Sequence, residues 1–281
     1  MLATLESFLQ AITEYTFLQN ALFAVVLISI ISGIIGSLLV SNRIVFVGGG
    51  VAHCAYGGIG IALFLGCSVL LGASISALIV AFSLAFVQKK WHTHIDTFNA
   101  ILWALGMSVG IVFINLSPNA NADMESYLFG SLISVDTESL LIMGGFDIIL
   151  LLFVCIYYRE ILSISYDYEF CGLRGLYTNV FTQSIFAFIA IGIILSMQIS
   201  GLILVLAMLS IPAYMGNIFA KTLKTQMLFA GMFALIFMLV GLFLAYAYNI
   251  MPGAAITFVG TLCIIAVHLC KWLLHYIRQK G

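Results

Sequence analysis

One histidine, His53, stands in the middle of VGGGVAHCAYGGIGIALF, a stretch without Lys, Arg, Asp or Glu. Ionisable side chains inside apolar segments are rare, and they face a bundle interior or a water-filled path. Neutral imidazole is the commonest protein ligand for transition metals. A lone histidine is also read as a hydrogen-bonding link between helices. Tyr56 lies one turn on and Gly49 one turn back, on the same face of a helix. Asp147 sits in a second apolar stretch. An unpaired carboxylate there costs roughly 2.5–3.5 kcal/mol on insertion scales, so Asp147 is either a second pathway residue or a hydrogen-bonded packing residue. His92, His94 and Asp96 cluster in KKWHTHID. They read as a metal site at the end of a path or as a solvated loop; two His at i and i+2 converge only on an extended chain. No GxxxxGK[ST] loop and no HExxH occur, so any ATP hydrolysis belongs to a partner. His53 and Asp147 alone give no nucleophile–base pair of known spacing, which argues against an intramembrane enzyme.

The segments that must position these residues are long and apolar. The chain has 281 residues, of which 63% are hydrophobic and 7% charged, against roughly 25% charged in a soluble domain. A membrane-spanning helix takes about 20 apolar residues. Nine stretches qualify: 17–40, 45–66, 69–88, 98–117, 139–158, 180–198, 200–217, 228–248 and 252–273. An eight-helix count holds if one segment is re-entrant. The predicted fold is an all-α, polytopic membrane helix bundle. It forms a single transmembrane domain over 1–281.

All ten basic residues fall in every second gap of this ladder: Arg43, Lys89, Lys90, Arg159, Arg174, Lys221, Lys224, Lys271, Arg278 and Lys280. By the positive-inside rule those gaps are cytoplasmic. The N-terminus is then outside and the C-terminus cytoplasmic. The first 20 residues contain Glu6 and Glu14 and no basic residue, unlike the positive start of a secretory signal. The longest gaps are 118–138 outside, where 124–135 reads as an interfacial helix, and 159–179 inside. Neither accommodates a soluble catalytic domain. A net charge of −1 offers no basic surface for nucleic acid. The six cysteines (54, 67, 155, 171, 263, 270) form no CxxC pair and read as inert thiols. Glycines at 33, 36, 48–50, 57, 58 and 60 allow close helix packing inside lipid.

Several segments together resemble the permease subunits of bacterial ABC importers for zinc, manganese and iron, the zinc-uptake permease type. GGGVAHCAYGGIG (48–60) looks like that family's second-helix motif, and IDTFNAILWALGMSVG (95–110) is similar to its IDT…G…MxxG stretch. SYLFGSLISV (126–135) resembles its YLFG motif. GLILVLAMLSIPAYMGNIFAKTL (201–223) resembles its segment around IPA. These pieces stand in the family's order over residues 48–223.

The resemblance implies a permease in the bacterial inner membrane that pairs with a second copy, or with a related permease, around a central path. It implies an ABC ATPase subunit on the cytoplasmic face, whose ATP hydrolysis drives transport, and an extracytoplasmic metal-binding protein that delivers the ion. Import rests on the resemblance alone. The cargo is a divalent metal, zinc in first place and manganese or iron as alternatives; no covalent cofactor is implied. SYDYEFCGLRGL (165–176) is similar to the family's coupling-helix stretch, so the docking role is carried onto Asp167, Glu169, Gly172 and Leu173. One position departs: the family's acid four residues before the histidine falls here on Gly49. Either His53 acts with its symmetry mate, or Asp147 substitutes, or no tight site exists. A gradient-driven transporter or channel is the reading from a different class, with Asp147 as its one acid clearly within a span.

Overall fold

The computed structural model describes residues 2–90, 94–117, 130, 132 and 135–280. At 2–5, 9, 274 and 277–280 it describes the backbone alone. The chain runs through α1 (Leu2–Glu14), α2 (Thr16–Ser41), α3 (Val45–Leu65), α4 (Val69–Lys90), α5 (Ile95–Leu116), α6 (Thr137–Ile156), α7 (Tyr158–Tyr166) and α8 (Tyr168–Leu173). It continues through α9 (Thr178–Ser200), α10 (Leu202–Phe219), α11 (Leu223–Tyr248) and α12 (Pro252–Lys280). No strand occurs among the described residues. Nine helices among those residues are long and apolar enough to cross a membrane: α2–α6, α9–α11 and the 252–273 part of α12. Each matches one predicted segment, with ends differing by five residues or fewer, the largest difference being the earlier start of α11 at Leu223. The expected interfacial helix at 124–135 lies almost wholly outside the described residues.

Helix α3 is the most enclosed of the nine spans and α12 the least. The main neighbours of α3 are α4 and α5, with α9 and α10 behind. Its glycines set those crossings. A methyl group on Gly57 would lie 2.8 Å from the carbonyl oxygen of Gly106, and one on Gly60 would lie 2.8 Å from the Cα of Gly110. Such backbone proximity replaces the hydrophobic effect as the cohesive force inside lipid.

Helix α2 carries a π-helical segment, Ser32–Gly36, in mid-span. Gly33 faces α11, where a methyl would lie 2.9 Å from Met227 O; Gly36 faces α10, at 2.6 Å from Leu209 O. The Ser32 hydroxyl donates to the carbonyl oxygen of Met208. That carbonyl is the one Pro212 leaves without its i→i−4 donor inside α10. A side chain from the neighbouring helix thus satisfies a backbone group that lipid cannot. Helices α9 and α10 are joined by Gly201 alone, at φ 80° and ψ 162°, a conformation open only to glycine.

Several contacts gather the basic gaps at one end of the bundle. Asn42 Nδ2 donates to Ser165 Oγ at 3.3 Å, and Lys224 N to Tyr158 Oη at 3.0 Å. Ser41 Oγ donates to Gln226 Oε1 at 3.0 Å, and Lys271 Nζ lies 6.0 Å from the Phe219 ring centroid. At the other end, Asn20 Nδ2 donates to Val135 O at 3.1 Å and Gln198 Nε2 to Ser139 Oγ at 3.2 Å. Helix α1 packs at that same end, with Phe8 against Phe243 and Tyr246.

Candidate metal pathway and docking surface

His53 lies half-buried near the middle of α3. Its Nδ1 is 2.8 Å from the carbonyl oxygen of Gly49. A carbonyl only accepts, so Nδ1 carries the proton and Nε2 keeps the lone pair that a metal requires. No described residue engages Nε2. The imidazole is stacked on the indole of Trp103 in α5, with centroids 3.9 Å apart and planes inclined by 26°.

The α3–α5 contact that brings Trp103 to His53 is held by two hydrogen bonds close to that pair. Asn99, one turn before Trp103, is 2% exposed and donates from Nδ2 to Phe46 O at 2.6 Å. Its amide occupies the space a side chain on Gly50 would need. Cys54 Sγ donates to Leu102 O at 2.9 Å. Asn99, Trp103, Gly106 and Gly110 form one stripe of α5. The sequence reading passed over Trp103; the i, i+4, i+7, i+11 spacing of that stripe was the available signal.

His268 is an internal comparison. Its Nδ1 bonds the carbonyl oxygen of Ile264 at 3.0 Å, the same i−4 anchor, but its Nε2 accepts from Tyr214 Oη at 3.1 Å. The lone pair of His268 is engaged within the protein; that of His53 is open.

Asp147 is 2% exposed, and neither carboxyl oxygen has a hydrogen-bond partner among the described residues. Its helix, α6, packs on α2 and α9, so Asp147 and His53 stand on helices with different principal neighbours. His94 and Asp96 are exposed at the start of α5; His92 lies outside the described residues. No group of three His, Cys, Asp or Glu suited to a metal occurs among the described residues.

The 159–179 segment folds as two short helices. Asp167 caps α8, accepting from Phe170 N at 2.9 Å. Glu169, Gly172 and Leu173 are exposed, Leu173 to 88%. Tyr166, Phe170 and Tyr177 extend this apolar surface, and Arg174 covers the Phe170 ring at 4.7 Å. Cys171 and Ile161 are buried behind it.

Residues 14–271 match the model of the ABC 3 transport family. The chain belongs to that family. An uncharacterised membrane protein of Synechocystis is 38% identical over 258 residues, covering 92% of each chain. The manganese import system permease protein ScaB of Streptococcus gordonii is 24% identical over 98% of this chain and 99% of its own. The fold matches a chain of PsaBC from Streptococcus pneumoniae, solved in complex with a Fab, with a TM-score of 0.81 at 24% identity and 92% of each chain covered. As an ABC 3 permease, this protein is the multi-pass membrane subunit of an ABC metal importer and is not itself catalytic. A permease of this class works with an ATPase subunit and a substrate-binding protein.

Proposed function

We propose that this permease carries zinc inward across the bacterial inner membrane. The observation that carries this reading is the open Nε2 of His53 in an otherwise apolar helix. Imidazole suits zinc, whereas manganese favours carboxylate, carbonyl and water oxygens, and Gly49 supplies no carboxylate one turn away. Two copies of the chain enclose the path, each contributing one His53. A site with few protein ligands also lets the ion leave, which conduction requires.

The end bearing Arg43, Arg159, Lys221 and Lys224 faces the cytoplasm. There the ATPase docks on α7 and α8, with Leu173, Phe170 and Tyr166 as apolar anchors. Asp167 shapes that surface by capping α8, and Glu169 and Gly172 border it. ATPase closure is transmitted through α7 and α8 as a rigid-body tilt of the bundle. The extracytoplasmic metal-binding protein delivers the ion at the opposite end.

A second cargo, manganese, is favoured by the name of the ScaB relative. Competition decides between them. Cells supplying the permease, its ATPase and its binding protein take up radiolabelled zinc, and unlabelled manganese in tenfold excess should leave that uptake intact. Uptake of labelled manganese that excess zinc fails to suppress would assign the cargo to manganese.

A further inference from the structure

We infer that Trp103 is the positioning residue for His53, holding the imidazole so that Nε2 is the one atom of each chain presented to the ion. The inference rests on His53 being the cargo ligand, as proposed above. The second torsion of a histidine side chain is broad, so a hydrogen bond at Nδ1 alone leaves the ring free to rock about that bond. The indole face, stacked at 3.9 Å, removes this freedom without touching Nε2. At His268 the aromatic neighbour, Tyr214, lies nearly parallel at 5.8 Å and 7°, but its hydroxyl consumes the nitrogen lone pair. An indole lying face-on leaves the lone pair open.

Trp103 also limits the number of ligands. Residue 49 lies one turn before His53, on the face from which a second side chain could join the same ion. A Cβ placed there would lie 3.1 Å from Cζ3 of Trp103. The indole fills that space, so this stretch of α3 offers a single nitrogen. One imidazole per chain discriminates towards borderline-soft cations and against manganese. Trp103 therefore acts on selectivity through His53, without itself touching the ion.

The test uses the assembled permease–ATPase complex. The chain has three Trp residues; replacing two of them, Trp91→Phe and Trp272→Phe, leaves Trp103 as its sole indole. Nickel then serves as a quenching cation. Added Ni²⁺ should quench the Trp103 emission saturably, and His53→Gln should abolish that saturable component. Quenching that persists in His53→Gln, or no saturable quenching at all, overturns the inference without requiring any substitution at Trp103. In uptake assays Trp103→Leu should raise the KM for zinc about 10–100-fold, the range for residues that orient a metal ligand. It should also reduce the preference for zinc over manganese, while Trp103→Phe keeps both within about threefold of the parent. Equal behaviour of the Leu and Phe variants would overturn the positioning role while His53 still stands as ligand. Unimpaired zinc uptake by His53→Gln would instead remove His53 from the path, and the inference with it.

Discussion

His53 and Asp147 are both ionisable residues within apolar spans, and the structure separates them. His53 has one nitrogen committed and one open, and it lies half-buried against a crossing built for close approach. Asp147 is enclosed between α6, α2 and α9 with neither oxygen partnered among the described residues. Asp147 thus reads as a packed acid, whose burial is tolerable when it is not ionised. Asp147→Asn should retain zinc uptake and complex yield, with a melting temperature within a few degrees of the parent. Lost uptake at full yield would instead place Asp147 on the path. The sequence made both residues visible, because each interrupts an apolar run. It did not reveal Trp103, because an indole in an apolar helix has the composition of ordinary packing. Its role arises only where Gly57 meets Gly106 and Gly60 meets Gly110.

At the scale of elements, the spans were legible from hydropathy alone, since the bilayer sets their length. The π-helical turn in α2 was not. It depends on what α10 and α11 present to residues 32–36, and no local propensity encodes that. The link from Ser32 to Met208 O makes a specific energetic prediction. Ser32→Ala leaves the carbonyl freed by Pro212 without a donor, and Pro212→Ala restores the backbone donor and makes Ser32 redundant. A double-mutant cycle on these two positions, read by unfolding in detergent, should show a coupling of about 1 kcal/mol, within the range measured for hydrogen bonds between membrane helices. Strict additivity would show that Ser32 does not act on that carbonyl. Helix α1 was also unforeseen. Only the placement of Phe8 against Phe243 and Tyr246 explains its course.

For the whole molecule, the two ends of the bundle differ in chemistry. One gathers the basic gaps and presents α7 and α8; the other is closed by neutral polar links such as Asn20 to Val135 and Gln198 to Ser139. The proposed docking segment was placed in the sequence by resemblance. Its apolar surface became evident only when Tyr166, Phe170 and Leu173 proved exposed while Cys171 turned inward. Leu173→Asp should reduce co-purification of the ATPase at least tenfold, as a charge in an apolar docking core costs more than about 1.4 kcal/mol, a factor of ten. Permease yield should be unchanged, because Leu173 is 88% exposed. Normal co-purification with coupled hydrolysis would move the docking site elsewhere.

ATP-driven zinc import through His53 can be read from the metal content of cells grown at limiting metal. Three strains are compared: the intact importer, the importer with a Walker-dead ATPase, and the importer carrying His53→Ala at equal membrane abundance. Zinc should rise only with the intact importer. Zinc that rises equally in all three strains, or in the His53→Ala strain as in the parent, would contradict ATP-driven import through His53.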